Sequence, residues 1–225
     1  MTLKLENVEV SIQAAPILRG VSLEVGTGER MGLVGRNGAG KTTVMRTITG
    51  LANMAGGRVL WNDEDISNMQ PRQRAALGFG YMPEDRRLVP DLTVEENMLL
   101  PAWANKEIDG QKGLNFVYDL MPELTEMAAR KALLLSGGQQ KMVALGRALI
   151  AGRKLLLLDE PFEGVAPALA KRISEVITSL KGEGLSVLIA QSELSHSLEL
   201  LERESVIERG EIIKVNVIDQ SSANT

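Results

Sequence analysis

Eight residues constrain this chain more than any others: Gly35-Arg36-Asn37-Gly38-Ala39-Gly40-Lys41-Thr42, a G-x-x-x-x-G-K-[ST] run with no mismatch. A short apolar run, Met31 to Val34, comes just before it, and Val44, Met45, Ile48 and Leu51 follow at helical spacing. Strand, glycine-rich turn and helix in that order build an anion site. The turn curls backbone N–H groups round an oxygen, and the helix start adds about half a positive charge. In such loops the lysine reaches the outer phosphates of a nucleotide and the hydroxyl ligates Mg²⁺. Gly35, Asn37, Gly38, Ala39, Gly40, Lys41, Thr42 and Thr43 are therefore the candidate phosphate-binding residues. An ordinary strand-to-helix turn would need glycines but not the Lys-Thr ending.

The rest of the chain suits the same architecture. Leu3, Leu5, Val8 and Val10 are spaced by two or three, Val21, Leu23 and Val25 alternate, and Leu155 to Leu158 and, Ser186 apart, Leu185 to Ala190 are continuous apolar runs. Continuous runs fit strands covered on both faces, as in a parallel sheet. Leu145, Leu149 and Ile150, and Ile173, Val176, Ile177 and Leu180, have helical spacing, so strands and helices alternate as in an α/β core. Residues 85–135 show short helical patterns and no convincing strand, and are expected to be a helical insertion. The polar tail from Gln220 is expected to fray.

Composition narrows the chemistry. The 225 residues are 44% hydrophobic and 24% charged, proportions of a globular chain with a sizeable core. With no cysteine and one histidine (His196, read as a surface residue), disulfides and thiolate or His-rich metal sites are excluded. A net charge of −4 argues against nucleic acid as a partner. No signal-peptide pattern and no apolar run of about 18 residues are present, so the expected location is cytoplasmic.

Two further sites complete a hydrolase. Leu155 to Leu158 leads into Asp159-Glu160 at a strand end, where Asp159 can hold a metal and Glu160 can polarise an attacking water. Leu135-Ser136-Gly137-Gly138-Gln139-Gln140 opens the helical run Lys141 to Ile150, with Ser136 as N-cap and two glycines leaving N–H groups open to an anion.

These last residues resemble the signature motif of ATP-binding cassette (ABC) ATPases. Phosphate loop, signature and Asp-Glu strand stand in that family's order, and the likeness runs from about Leu3 to Lys214. The resemblance implies an α/β fold: a P-loop NTPase core with a mostly parallel sheet, an antiparallel N-terminal β subdomain and an inserted helical subdomain. It makes 1–220 a single domain with a 221–225 tail. It implies ATP and Mg²⁺ as cofactors, with Thr42, Asp159 and Glu84 as metal-side residues. It also implies a head-to-tail dimer, homodimer or heterodimer with a related ATPase, in which Ser136, Gly137, Gly138 and Gln139 close over the partner's ATP. The stretch Tyr81 to Asn97 is similar to ATPase subunits of branched-chain amino acid and urea importers. That similarity implies separate transmembrane permease subunits, contacted through Glu84 to Asn97, and a place on the inner face of the membrane. Compact exporter ATPases, such as those for lipopolysaccharide, share most of these motifs. A weakly active half of a heteromeric pair and a non-transport ABC protein are the other readings.

The departures from the family pattern are specific. Ile12 stands where many members stack adenine on an aromatic ring, Glu84 where glutamine is usual, and Ser192 where a γ-phosphate-sensing histidine often sits. Phe162 and Glu163 resemble the urea-importer version of the loop after Glu160.

Overall fold

The computed structural model describes residues 1–182, 184–193 and 198–218, so His196 and the tail lie outside the described residues. Its first elements are β1 (Leu3–Ile12), β2 (Ala15–Val25), β3 (Arg30–Val34), α1 (Lys41–Ile48), β4 (Gly56–Trp61) and β5 (Glu64–Asp65). The middle holds α2 (Pro71–Ala76), β6 (Phe79–Met82), α3 (Val94–Ala104) and α4 (Gly110–Leu120). The last part holds α5 (Gly137–Ala151), β7 (Leu155–Asp159), α6 (Pro167–Ser179), β8 (Ser186–Gln191), β9 (Arg203–Glu208) and β10 (Glu211–Val217).

Two sheets organise these elements. A four-stranded antiparallel sheet has the order β2-β1-β4-β5, and a six-stranded sheet has the order β10-β9-β3-β8-β7-β6. In the second, the five strands from β9 to β6 run parallel and only β10 is antiparallel. The uneven spacing of Leu3, Leu5, Val8 and Val10 has a physical cause. Asn7 at φ 48° sits at a register shift between Leu5 and Val8, so the extra residue keeps all four side chains on the buried face. β7 and β8 are buried along their whole length, which is why Leu155 to Leu158 and Val187 to Ala190 are continuous apolar runs.

Parallel direction decides where the site falls. The loops leaving β3, β6, β7 and β8 emerge from one edge of the sheet, the edge at which α/β proteins bind ligands. α1 is shorter than its apolar pattern: the helix stops at Ile48, Gly50 takes φ 75°, and the Leu51 and Ala52 N–H groups donate back to Arg46 O. Leu51 therefore stands exposed beyond the helix, because a glycine in the left-handed region ends it first.

Residues 85–135 contain α3, α4 and two short 3₁₀ turns, and within this stretch the described residues add only an isolated bridge, Thr93 to Lys131. Thr93 and Glu96 cap α3 reciprocally. Asn97, fully buried, accepts from Val89 N at 2.8 Å and donates to the carbonyls of Val89, Leu92 and Thr93. One side chain thus holds the loop before α3 closed. Asn97→Ala is expected to cost about 2–3 kcal/mol, read as a lower urea midpoint with an unchanged slope.

Candidate nucleotide site

The predicted phosphate residues meet at one cavity of about 470 Å³, lined by Ile12, Ile17, Asn37, Gly38, Gly40, Lys41, Thr42, Thr43, Glu84 and Glu160. Gly35 and Ala39 do not line it; they pack the loop against the core. A Cβ on Gly35 would stand 2.3 Å from Ile207 O, so only glycine lets the loop lie that close to β9. Gly40 caps α1 at φ 113°, where any side chain is strained, and a Cβ there would also press on Leu18 at 2.9 Å. α1 has no side-chain cap, which leaves its first N–H groups facing the cavity.

Lys41 and Glu160, both nearly buried, form an ion pair of 3.0 Å. The ammonium also donates to Gly35 O at 2.6 Å, Arg36 O at 3.3 Å and Ser192 Oγ at 3.2 Å. Ser192 in turn holds both carboxylate oxygens of Glu160, Oγ donating to Oε1 at 2.7 Å and the backbone N–H to Oε2 at 3.2 Å. Ser192 Oγ also lies 2.8 Å from Asn37 Oδ1. Ser192 therefore grips the carboxylate across from the phosphate loop. Glu160 itself has φ 49°, a left-handed backbone that costs a non-glycine residue about 1–2 kcal/mol and persists where its surroundings over-determine it.

Asp159 is fully buried at the end of β7. Its Oδ2 accepts from Tyr81 Oη at 3.2 Å, while Oδ1 has no hydrogen-bond partner. Burial pushes its pKa up to about 6, the Thr42 and Tyr81 hydroxyls opposing and the Glu84 and Glu160 charges adding to the rise. A buried carboxylate oxygen without a partner, beside a hydroxyl, suits a hard cation such as Mg²⁺. Among the described residues no three carboxylate, imidazole or thiol groups form a cation cage, so phosphate oxygens and water would complete the shell. Glu84 lies at the rim. Partial burial raises its pKa, the Glu163 and Glu160 carboxylates add to the rise, and Lys41 opposes it. Neither Arg86 nor Arg87 neutralises it: Arg87 pairs with Asp85 at 2.9 Å and Arg86 donates to Gly137 O at 3.3 Å.

Because folding raises the Asp159 pKa above 3.8, ionising it destabilises the folded chain, with no cost below about pH 4 and the full cost above about pH 6. A cation needs the ionised form. Mg²⁺ affinity of the ATP complex is therefore expected to fall roughly tenfold per pH unit below about 6. Titration calorimetry on either side of that pH would reveal it, and a pH-independent affinity would remove Asp159 from the metal site.

Ser136, Gly137, Gly138 and Gln139 do not line the cavity. They start α5, where Ser136 and Gln139 cap each other's backbone N–H. One turn on, Lys141 is buried and donates to the carbonyls of Glu160 and Glu163, the former at 2.8 Å. Tyr81, Lys141 and Ile17 are the site residues that motif reading misses. Lys141 stands between Gln140 and the apolar run Met142 to Leu145, a place where a solvated cation is ordinary, so it gave no signal, and neither did Tyr81 or Ile17.

Fold and site together define an ATPase of the phosphate-loop class. The family model described as ABC transporter matches residues 18–163. The chain belongs to the ABC transporter family and is an ATP-binding, ATP-hydrolysing subunit. It is 37% identical over 196 residues to the high-affinity branched-chain amino acid transport ATP-binding protein BraG of Pseudomonas aeruginosa, 87% of this chain and 84% of that one. It is 36% identical over 217 residues to the lipopolysaccharide export system ATP-binding protein LptB of Haemophilus influenzae, 96% of this chain and 90% of that one. Among solved structures, the ADP conformation of MJ1267, an ATP-binding cassette of an ABC transporter, superposes with a TM-score of 0.83 at 30% identity, over 98% of this chain and 92% of that one. The dimeric cassette MJ0796 shares the fold, with a TM-score of 0.86 at 23% identity over 96% and 99% of the two chains. Among the described residues no helix is long and apolar enough to cross a membrane.

Proposed function

We propose that Glu160 is the general base of ATP hydrolysis and that the Lys41–Glu160–Ser192 cluster is its resting arrangement. The observation that carries this reading is the 3.0 Å ion pair between the phosphate-loop lysine and the carboxylate after β7. Phosphate oxygens arriving at Lys41 compete with Glu160 for the same ammonium. Binding therefore frees the carboxylate to accept a proton from water, still oriented by Ser192. The first N–H groups of α1 and Gly38 cradle the phosphates, Ile12 and Ile17 offer an aliphatic wall for the base, and Thr42 and Asp159 would hold Mg²⁺. Bound Mg²⁺ would neutralise charge on the β- and γ-phosphates.

One chain carries one phosphate loop and one signature, and the two do not meet within it. The reading is a head-to-tail pair in which Ser136 to Gln139 of each chain face the other's ATP. Light scattering on the Glu160→Gln protein tests this. An ATP-dependent doubling of mass supports a homodimer, while ATP binding without doubling points to an unlike partner ATPase.

We assign residues 85–135 to an inserted helical arm and Glu84 to Asn97 to the contact with permease subunits on the inner membrane face. Arg147 of α5 supports this, donating to the carbonyls of Arg86 and Arg87 and so tying that segment to the signature helix. For the transported solute, the Tyr81 to Asn97 likeness and the 37% identity to BraG favour uptake of a branched-chain amino acid, urea or a similar small solute. Export is the second reading, favoured by the longer LptB match over 96% of the chain. Loss of labelled leucine or urea uptake on deleting the gene would support import. Normal uptake with a cell-envelope defect would overturn it.

A further inference from the structure

We propose that Lys141 is a positioning residue for hydrolysis, holding Glu160 in its left-handed backbone conformation from the signature helix of the same chain. The inference rests on the reading of Glu160 as the base.

Three observations carry it. Lys141 lies in the first turn and a half of α5, yet its side chain is buried and leaves the helix to reach the loop after β7. Its ammonium donates to the main-chain carbonyls of both Glu160 and Glu163, so it spans the turn on which the base stands. Two backbone hydrogen bonds also act at this turn, Glu160 N donating to Ala190 O at 2.8 Å and Glu163 N donating to Glu160 O at a weak 3.3 Å. A left-handed residue needs its surroundings to over-determine it, and here two carbonyls converge on one buried cation. Burial lowers the Lys141 pKa, with Arg86 adding to the fall, while the Glu163, Glu160 and Glu84 charges oppose it.

The placement has a mechanical consequence. Ser136 to Gln139 begin the helix that carries Lys141, so any shift of that helix start moves the cation beneath Glu160. Contact of the signature with a partner's nucleotide is thereby linked to the base of the same chain through a single side chain.

The test uses the whole chain and compares Lys141→Met, Lys141→Arg and Glu160→Gln. Lys141→Met is expected to lower kcat at least tenfold with KM for ATP within about twofold, and Lys141→Arg to recover part of the loss, because it restores a donor. In a Glu160→Gln background Lys141→Met should add almost nothing, since residues acting through one another are not additive. Amide exchange read by mass spectrometry gives a measure free of turnover: residues 160–164 should exchange at least tenfold faster in Lys141→Met, with α1 unchanged. Unchanged exchange at 160–164, a uniform rise across the chain, or a KM effect equal to the kcat effect would overturn the proposal. If Glu160→Gln keeps full turnover, the reading of Glu160 fails instead. An inactive Glu160→Gln beside a fully active Lys141→Met sinks the Lys141 proposal alone.

Discussion

Glu160→Gln is expected to lower ATP turnover by about 10²–10⁴-fold, the range general base catalysis supplies, while ATP still binds. The substitution keeps the shape of the side chain and removes only the proton acceptor. It should also leave the fold nearly as stable, because Lys41 retains Gly35 O at 2.6 Å and Arg36 O at 3.3 Å. Steady-state phosphate release beside fluorescent-nucleotide binding separates the two effects. Turnover within about threefold of the native protein would move the base elsewhere.

Lys41→Met is the mirror experiment, and the asymmetry is informative. It leaves the buried Glu160 carboxylate with Ser192 as its close partner, and removing one member of a buried pair costs about 3–5 kcal/mol. For a chain of this size that is a fall of roughly 6–20 °C in melting temperature. Nucleotide affinity should drop about 10²-fold, since the lost contact is a charge-assisted one to phosphate. Adding Glu160→Gln to Lys41→Met should restore most of the stability but none of the nucleotide affinity. A double variant as unstable as Lys41→Met would mean the ion pair is not what holds this corner of the site together.

Both experiments act on residues that were legible in the primary structure. The phosphate loop carries its own geometry, since Gly40 at φ 113° and the close approach of Gly35 to Ile207 are tolerated by glycine alone. The buried strands announced themselves for a similar reason, because the middle of a strand covered on both faces is apolar, its charges, Arg30 and Asp159, standing at strand ends. The strands toward the two ends of the large sheet gave no such signal. β6 is Phe79-Gly80-Tyr81-Met82, where Gly80 interrupts the apolar run because a Cβ would stand 2.1 Å from Ala148 O. β9 mixes Arg203 and Glu204 with Val206 and Ile207, and Arg203 is satisfied by Glu29 at 2.7 Å and by Glu24 O at 2.6 Å, both more than 170 residues away in sequence. Local pattern cannot register a partner at that distance.

The sequence by itself determined the chemistry on offer: a phosphate loop, a carboxylate pair after an apolar strand, a capped second anion site, and an α/β core to carry them. Those depend on residue type and short spacing, which the chain holds directly. Tertiary structure alone decided how the groups meet. Parallel strand order brings Glu84, Glu160 and Ser192 to the edge that holds Lys41, and the fold aims Tyr81 at Asp159 and Lys141 at the turn beneath Glu160. These contacts close only when strands far apart in sequence pair. No spacing rule encodes them, because it is the register between strands that sets the distance.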